Sequence, residues 1–399
     1  MIVVRTFVWY NITMKMTRGY RYRIYPNASQ TALIDSNLGS CRFVYNRFLA
    51  EHSDAWKLRK ESFSYAASAR MLTELKRDPG HVWLAGADSM ALQEALRDLD
   101  RSFRNFFAKR AGYPRFHSKR DHHQSYRTRN QSNGIRVEDG RIVLPKLGAV
   151  KAKISRLPNG RILNATVSKT PTGKYFASLC VEEEVVPKPN VGGVIGIDLG
   201  IKELYVDSDG YKELNPKYLA KYEKQLRREQ RSLSRMIEAN LAGYDSKRRP
   251  IWKRPLSECS NIQKQKRKVA RIHEKIYNCR TDNLHKASSK LVNENQVIAL
   301  ETLNVKGMVR NHHLAKAISD VSWSRFVSML EYKAFEHGCT VLKVPTFYPS
   351  SQTCSVCGYK NPRVKDLSVR RWVCPECGAV HDRDENAAKN ILAMALKSA

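Results

Sequence analysis

The chain has 399 residues, 42% of them hydrophobic, which suits roughly two to four domains with buried cores and excludes a disordered polymer. Seventy Lys and Arg against 38 Asp and Glu leave a formal charge of +32, self-repelling unless a polyanion neutralises it, so nucleic acid is the expected partner. Mean hydropathy is −0.52 and the longest apolar runs, such as VIAL and CTVL, are strand-sized, so no membrane partner is expected.

The opening MIVVRTFVWY lacks a small-residue cleavage site and is a poor signal peptide, while Met14 and Met16 stand as alternative starts before a better-organised segment. TRGYRYRIYPN, 17–27, alternates aromatic and basic residues and stops at Pro26, predicting a strand with one basic face. From 29 to 110 the pattern is helical. In DSMALQEALRDLDRSFRNFFAKR, Leu92, Leu96, Leu99, Phe103 and Phe106 form one apolar stripe behind an N-cap at Asp88 or Ser89, leaving the Arg and Lys of the other face free for phosphates. Residues 111–190 return to short strands that, with the first, predict a discontinuous β-barrel interrupted by the helices. PKPNVGG, 187–193, reads as a linker.

VIGIDLG is a buried-strand run ending in Asp198, and ELYVDSDGYKEL reads as further strand. Two long helices are predicted, at 216–242 with an apolar face of Leu219, Tyr222, Leu226, Leu233 and Met236, and at 260–292. Between 221 and 275 there are 17 Lys and Arg against 6 Asp and Glu, a surplus of 11. Lys224, Arg227, Arg228, Lys264, Lys266 and Arg267 are therefore the candidate nucleic-acid contacts. QVIALE is a second buried strand ending in Glu301. A helix near 318–337, the strand CTVLKVP, a cysteine cluster and the helix ENAAKNILAMAL complete the chain.

Of the nine cysteines, Cys41, Cys180, Cys259, Cys279 and Cys339 are scattered singly, which suits a reducing, cytoplasmic setting rather than a disulfide framework. Cys354-x2-Cys357 and Cys374-x2-Cys377, sixteen residues apart, have the spacing of two knuckles on one tetrahedral, structural Zn2+. Asp198, Glu301 and Asp384 form the second constellation. A carboxylate closing an apolar strand is costly unless a metal or hydrogen bonds satisfy it, and carboxylates from two strand ends and a helix start can hold two Mg2+ about 3.5–4 Å apart. Taken singly, Asp198 also reads as a turn residue, Glu301 as a strand-end charge and Asp384 as a helix N-cap. The element order fits a ribonuclease-H-like nuclease fold.

GIDLGIK, LETLNVKGM, YPSSQTCSVCG and CPECGAVHDRDENAAKNI closely resemble TnpB, the insertion-sequence-encoded nuclease related to type V CRISPR effectors, and the resemblance covers nearly the whole chain through YRYRIYPNASQ, YPRFHSKR, KQLRREQRSLSRM and SWSRFVSMLEYKAFEHG. It implies an α/β multidomain protein: a wedge β-barrel at 1–28 and 113–190, interrupted by a helical recognition domain at 29–112. An RNase H-like (RuvC) domain at 191–350 and 381–399 would carry a zinc ribbon at 351–380. The implied activity is RNA-guided, Mg2+-dependent DNA cleavage at one site, with Asp198, Glu301 and Asp384 as first, second and third carboxylates and Asp382 as the alternative third. The implied partners are a guide RNA from the transposon end and target double-stranded DNA marked by a short flanking motif, bound by a monomer with one RNA in a prokaryotic cytoplasm, acting at the nucleoid. Gln124, Ser125, Tyr126 and Asn130 could reach that motif or serve as loop contacts. Alternatives are a compact CRISPR effector of the same descent and an RNA-guided repressor that does not cut. A transposase proper finds no support, since His122 and His123 are adjacent rather than separated by one bulky residue as in an HUH pair.

Overall fold

The computed structural model describes residues 14–61, 63–121, 124–186 and 192–399; the opening decapeptide, His122-His123 and most of the 187–193 segment lie outside the described residues. The chain divides into two compact units, 14–185 and the remainder.

In the first unit, β1 (Met14–Tyr25) buries Tyr20, Tyr22 and Ile24 on one face and turns Arg21 and Tyr25 to solvent. Asn27 ends it with a reciprocal capping box to Gln30, opening α1 (Ala28–Arg59). Then come α2 (Tyr65–Leu75), a 3-10 turn (Pro79–Gly86) and α3 (Ser89–Phe107), which Asp88 caps through the amides of Met90 and Ala91. Leu92, Leu96 and Leu99 are buried as the stripe requires. The opposite face of α3 is not free: Arg97, Arg101 and Arg104 pair with Glu94, Asp98 and Asp100, because i,i+3 and i,i+4 carboxylates stand beside them.

The strands β2 (Gln124–Arg129), β3 (Arg136–Glu138), β4 (Arg141–Leu144), β5 (Gly148–Lys153), β6 (Arg161–Lys169) and β7 (Tyr175–Val185) join β1 in one antiparallel sheet of order β2-β6-β7-β1-β5-β4-β3. No pairing of β2 with β3 closes it among the described residues, so at the level of hydrogen bonds it is an open sheet. β1 runs against β7 from Met14↔Val185 to Ile24↔Tyr175. One core unites sheet and helices, with Ile24, Val150, Val167 and Leu179 packed with Ile34, Val44, Phe48 and Leu96.

The second unit contains β8 (Val194–Leu199), β9 (Glu203–Asp207), β10 (Lys212–Leu214), α4 (Tyr218–Ala239), β11 (Leu241–Tyr244), β12 (Pro250–Trp252) and α5 (Ser260–Glu294). β13 (Val297–Glu301), α6 (Val305–Met308), α7 (His312–Val321), α8 (Trp323–His337), β14 (Thr340–Val344), β15 (Arg371–Val373), β16 (Val380–Asp382) and α9 (Arg383–Ser398) follow. The main sheet has the order β10-β9-β8-β13-β14, with β8, β13 and β14 parallel and β9 and β10 antiparallel. β8 and β13 are apolar without alternation because both faces are covered. Leu284, Leu291, Phe326 and Leu330 of α5 and α8 cover one face; Ile391 and Ala395 of α9 cover the other.

The basic helices end at 239 and 294, and a two-stranded hairpin, β11–β12, that periodicity does not suggest stands between them. Leu226 packs with Ile272 and Ile276, but the predicted stripe fails towards the hairpin, where Met236 is exposed. No helix among the described residues is long and apolar enough to cross a membrane.

Candidate active site and metal centre

Strand register brings the first two carboxylates together. β8 and β13 are parallel with Ile197 opposite Leu300, so Asp198 and Glu301 follow side by side at the carboxyl ends of adjacent strands. Period two puts Asp198 on the same face as Gly196, and a Cβ at Gly196 would lie 2.2 Å from the Ala388 carbonyl of α9. The glycine is thus what lets α9 settle on β8. Asp384 lies in the first turn of that helix.

The three carboxylates share one electrostatic environment. Burial, then the negative charge of Glu301 and Asp384, raises the Asp198 carboxyl well above the ordinary range, against the pull of Arg383 and Arg370. Burial also raises Glu301, opposed by a hydrogen bond from Ser350 Oγ at 2.9 Å. Arg370 Nη1 stands 3.4 Å from both oxygens of Asp384. Asp198 accepts no hydrogen bond from the described residues. Carboxylate oxygens are the donors Mg2+ takes, but those of Asp198, Glu301 and Asp384 do not all come within 4.8 Å of one another as the cysteine sulfurs do.

Asp382 is committed elsewhere. It is the N-cap of α9, accepting from the amides of Asp384 and Glu385, and it pairs with Lys212 at 2.9 Å. Although burial acts to raise it, Lys212 and those amides hold its carboxyl below the usual range. The cap that the sequence left open to Asp384 therefore belongs to Asp382.

The cysteines form two matching knuckles. Cys354 N–H donates to the Tyr359 carbonyl at 2.8 Å and Gly358 N–H to the Cys354 carbonyl at 2.9 Å; Cys374 and Gly378 repeat both distances with Ala379 and Cys374. Gly358 and Gly378 sit at φ +81° and +72°, the left-handed turn that closes each knuckle. The sulfurs of Cys354, Cys357, Cys374 and Cys377 all lie within 4.8 Å of one another, a donor set that fits Zn2+. His381 Nε2 stands 3.1 Å from Cys354 Sγ and its ring lies against Trp372. Spacing alone gave no sign of His381, Arg370 or Ser350.

The basic hairpin is less uniform than its charge count. Lys224, Arg227, Arg228, Lys264 and Arg267 are exposed and Lys266 is half-buried. Arg227 pairs with Glu223, however, and Arg228 with Glu229, because each has an acidic neighbour within reach on α4. Those two do not belong to an unpaired cationic face. Lys268, Arg271 and Lys275 line a groove of about 270 Å3 between α4 and α5. Of the residues weighed as motif readers, Tyr126 is buried, Gln124 donates to the Lys119 carbonyl at 2.5 Å, and Asn130 bridges the Ile135 and Ile162 carbonyls; Ser125 alone is exposed.

Three family models match: "Helix-turn-helix domain" over 14–61, "Probable transposase" over 178–312 and "Cas12f1-like, TNB domain" over 323–391. Residues 14–61 here form one strand and one long helix rather than two helices about a turn. A protein of Streptomyces pristinaespiralis, provisionally named an RNA-guided DNA endonuclease, is 37% identical over 96% of this chain and 90% of its own. TnpB-like protein L79 of Acanthamoeba polyphaga mimivirus is 34% identical over 37% of this chain and 29% of its own. The chain belongs to the TnpB family. Among solved structures, a Cas12f1–sgRNA–target DNA complex aligns with this TnpB-family chain over 95% of its length and 98% of that protein, at 13% identity and a TM-score of 0.48.

Proposed function

We propose that this chain is a transposon-associated RNA-guided DNA endonuclease that cleaves phosphodiesters at a single site built from Asp198, Glu301 and Asp384. The observation that carries the reading is the convergence of these carboxylates at the ends of β8 and β13 and the start of α9, with Asp198 raised by burial and by the other two. The strand order of the second unit supports an RNase H-like (RuvC) assignment, with 351–380 as the zinc ribbon, and 14–185 as the wedge and recognition part.

Two Mg2+ held by the three carboxylates would supply an activated water and charge stabilisation for the leaving 3'-oxygen. The protein's own part is to set those oxygens, through strand register for Asp198 and Glu301 and through helix packing at Gly196 for Asp384. One Zn2+ on Cys354, Cys357, Cys374 and Cys377 would be structural, since four thiolates leave no open position. The cationic faces of α4 and α5 would hold the guide RNA of a monomeric complex, base pairing would read the target DNA, and the protein would read only a short flanking motif. Action in the prokaryotic cytoplasm, at the nucleoid, accompanies this reading.

The test is guided cleavage by RNA-loaded protein, with the copurifying RNA sequenced. Asp198→Ala, Glu301→Ala and Asp384→Ala should each reduce cleavage to background with target binding retained, while Asp382→Ala should cut, with a loss tied to helix stability. Cleavage surviving all three carboxylate variants, or wild-type protein that binds guided targets without cutting, overturns the endonuclease assignment.

A further inference from the structure

Glu301 is held from outside its own strand. Ser350 Oγ, the donor to Glu301 Oε1 at 2.9 Å, belongs to a buried serine on the segment leading from β14 into the first cysteine knuckle. That segment is itself clamped by two carboxamides one turn apart on α9, both buried, Asn386 at 1% exposure and Asn390 at 5%. Asn390 Nδ2 donates to the Ser350 carbonyl at 2.8 Å and to the Thr353 carbonyl at 2.5 Å. Asn386 Nδ2 reaches the same Thr353 carbonyl at 2.7 Å and the Ser350 carbonyl at 3.5 Å, and its Oδ1 accepts the Ser355 amide at 2.9 Å. Ser355 adjoins Cys354. Buried amides are costly unless bonded, and these are bonded to the one stretch joining the knuckle to the carboxylate site.

We propose that Ser350 is a positioning residue for the nuclease reaction, and that Asn386 and Asn390 clamp it so that one hydrogen-bond network sets both the first zinc knuckle and the Glu301 carboxylate. The inference rests on the reading of Glu301 as a metal ligand. The serine hydroxyl fixes one carboxylate oxygen and leaves the other free to point at the cation, a kind of support whose loss costs ~10–100-fold in metal affinity. Because Asn386 lies two residues beyond Asp384, the same helix turn that presents the third carboxylate also presents the clamp.

The test compares Ser350→Ala, Ser350→Thr and Asn390→Leu in full-length, RNA-loaded protein. Two measurements are made, the Mg2+ dependence of guided cleavage and direct Mn2+ binding by electron paramagnetic resonance, with Glu301→Gln as the blank. Ser350→Ala should raise half-saturating Mg2+ by about tenfold or more and weaken the Glu301-dependent Mn2+ signal in step, with much of the rate recovered at saturating metal. Ser350→Thr, which keeps the hydroxyl, should restore both, and Asn390→Leu should shift both in the direction of Ser350→Ala. Zinc content should stay at one per chain in the Ser350 variants. Unchanged Mg2+ dependence and Mn2+ binding in Ser350→Ala, or a threonine variant no better than alanine, overturns the positioning role while Glu301→Gln remains inactive. If Glu301→Gln itself cuts and binds Mn2+ normally, the assignment of Glu301 as a ligand fails and the positioning role falls with it.

Discussion

Gly196 leaves no room for a methyl group: the Ala388 carbonyl would stand 2.2 Å from its Cβ and the Leu392 Cβ 2.8 Å away. Gly196→Ala must push α9 off β8, an overpacking cost of about 1–3 kcal/mol that urea unfolding should register, and it should depress cleavage by moving Asp384 relative to Asp198. A second expectation concerns Lys333. Its ammonium is buried and donates to the His285 carbonyl and the hydroxyls of Ser288 and Ser289 at 2.7–2.8 Å, and burial brings it down to about 8. An unfolded lysine titrates near about 10.4. Between about pH 8 and about 10.4 the unfolded chain therefore holds more protons than the folded one, so stability should rise with pH in that window and lose this slope below it. Thermal unfolding of Lys333→Met across the same range should lack the rise. Asp198 and Glu301 stood out in the sequence because each closes an apolar run with a charge. Ser350 could not, since a serine before a CxxC pair acquires meaning only when distant Asn390 reaches it.

The helix α4 was legible because Leu219, Tyr222 and Leu226 recur at helical spacing, whereas the β11–β12 hairpin was not, because GY and IW give too short a pattern to alternate. Its turn depends instead on Asp245, whose carboxylate accepts the amides of Lys247 and Arg249 at 2.9 and 2.7 Å. Charge counting was also silent on pairing. Lys224, Lys264 and Lys266 have no ion-pair partner among the described residues, while Arg227 and Arg228 do. Reversing those three lysines to glutamate should lower RNA retention and flatten the salt dependence of RNA binding by about 0.7–0.9 for each phosphate no longer neutralised. Neutralising Arg227 and Arg228 to glutamine should do less. Filter binding over a salt series separates the two sets, and equal effects would mean that the ion pairs open on binding.

For the whole molecule, a charge of +32 predicts a protein that purifies with RNA and behaves poorly once stripped of it. Cys354→Ser should lower zinc below one per chain by elemental analysis and reduce cleavage only in part, since the ribbon meets the carboxylates through hydrogen bonds rather than through shared ligands. Full cleavage by fully zinc-depleted protein would uncouple the two sites. The broad α/β organisation could be read from strand runs and turn residues, but the open order of the seven-stranded sheet could not, because pairing partners such as β1 and β5 are separated by the entire helical segment.

The pairing of Met14 with Val185 carries a consequence of its own. The unit spanning 14–185 starts and finishes on neighbouring strands, so the chain enters and leaves it at nearly one point, as a removable cassette would require. Its core is drawn from its own residues, Tyr20 through Val181. Such a segment can be exchanged between relatives by two cuts without breaking a strand of the other unit's sheet.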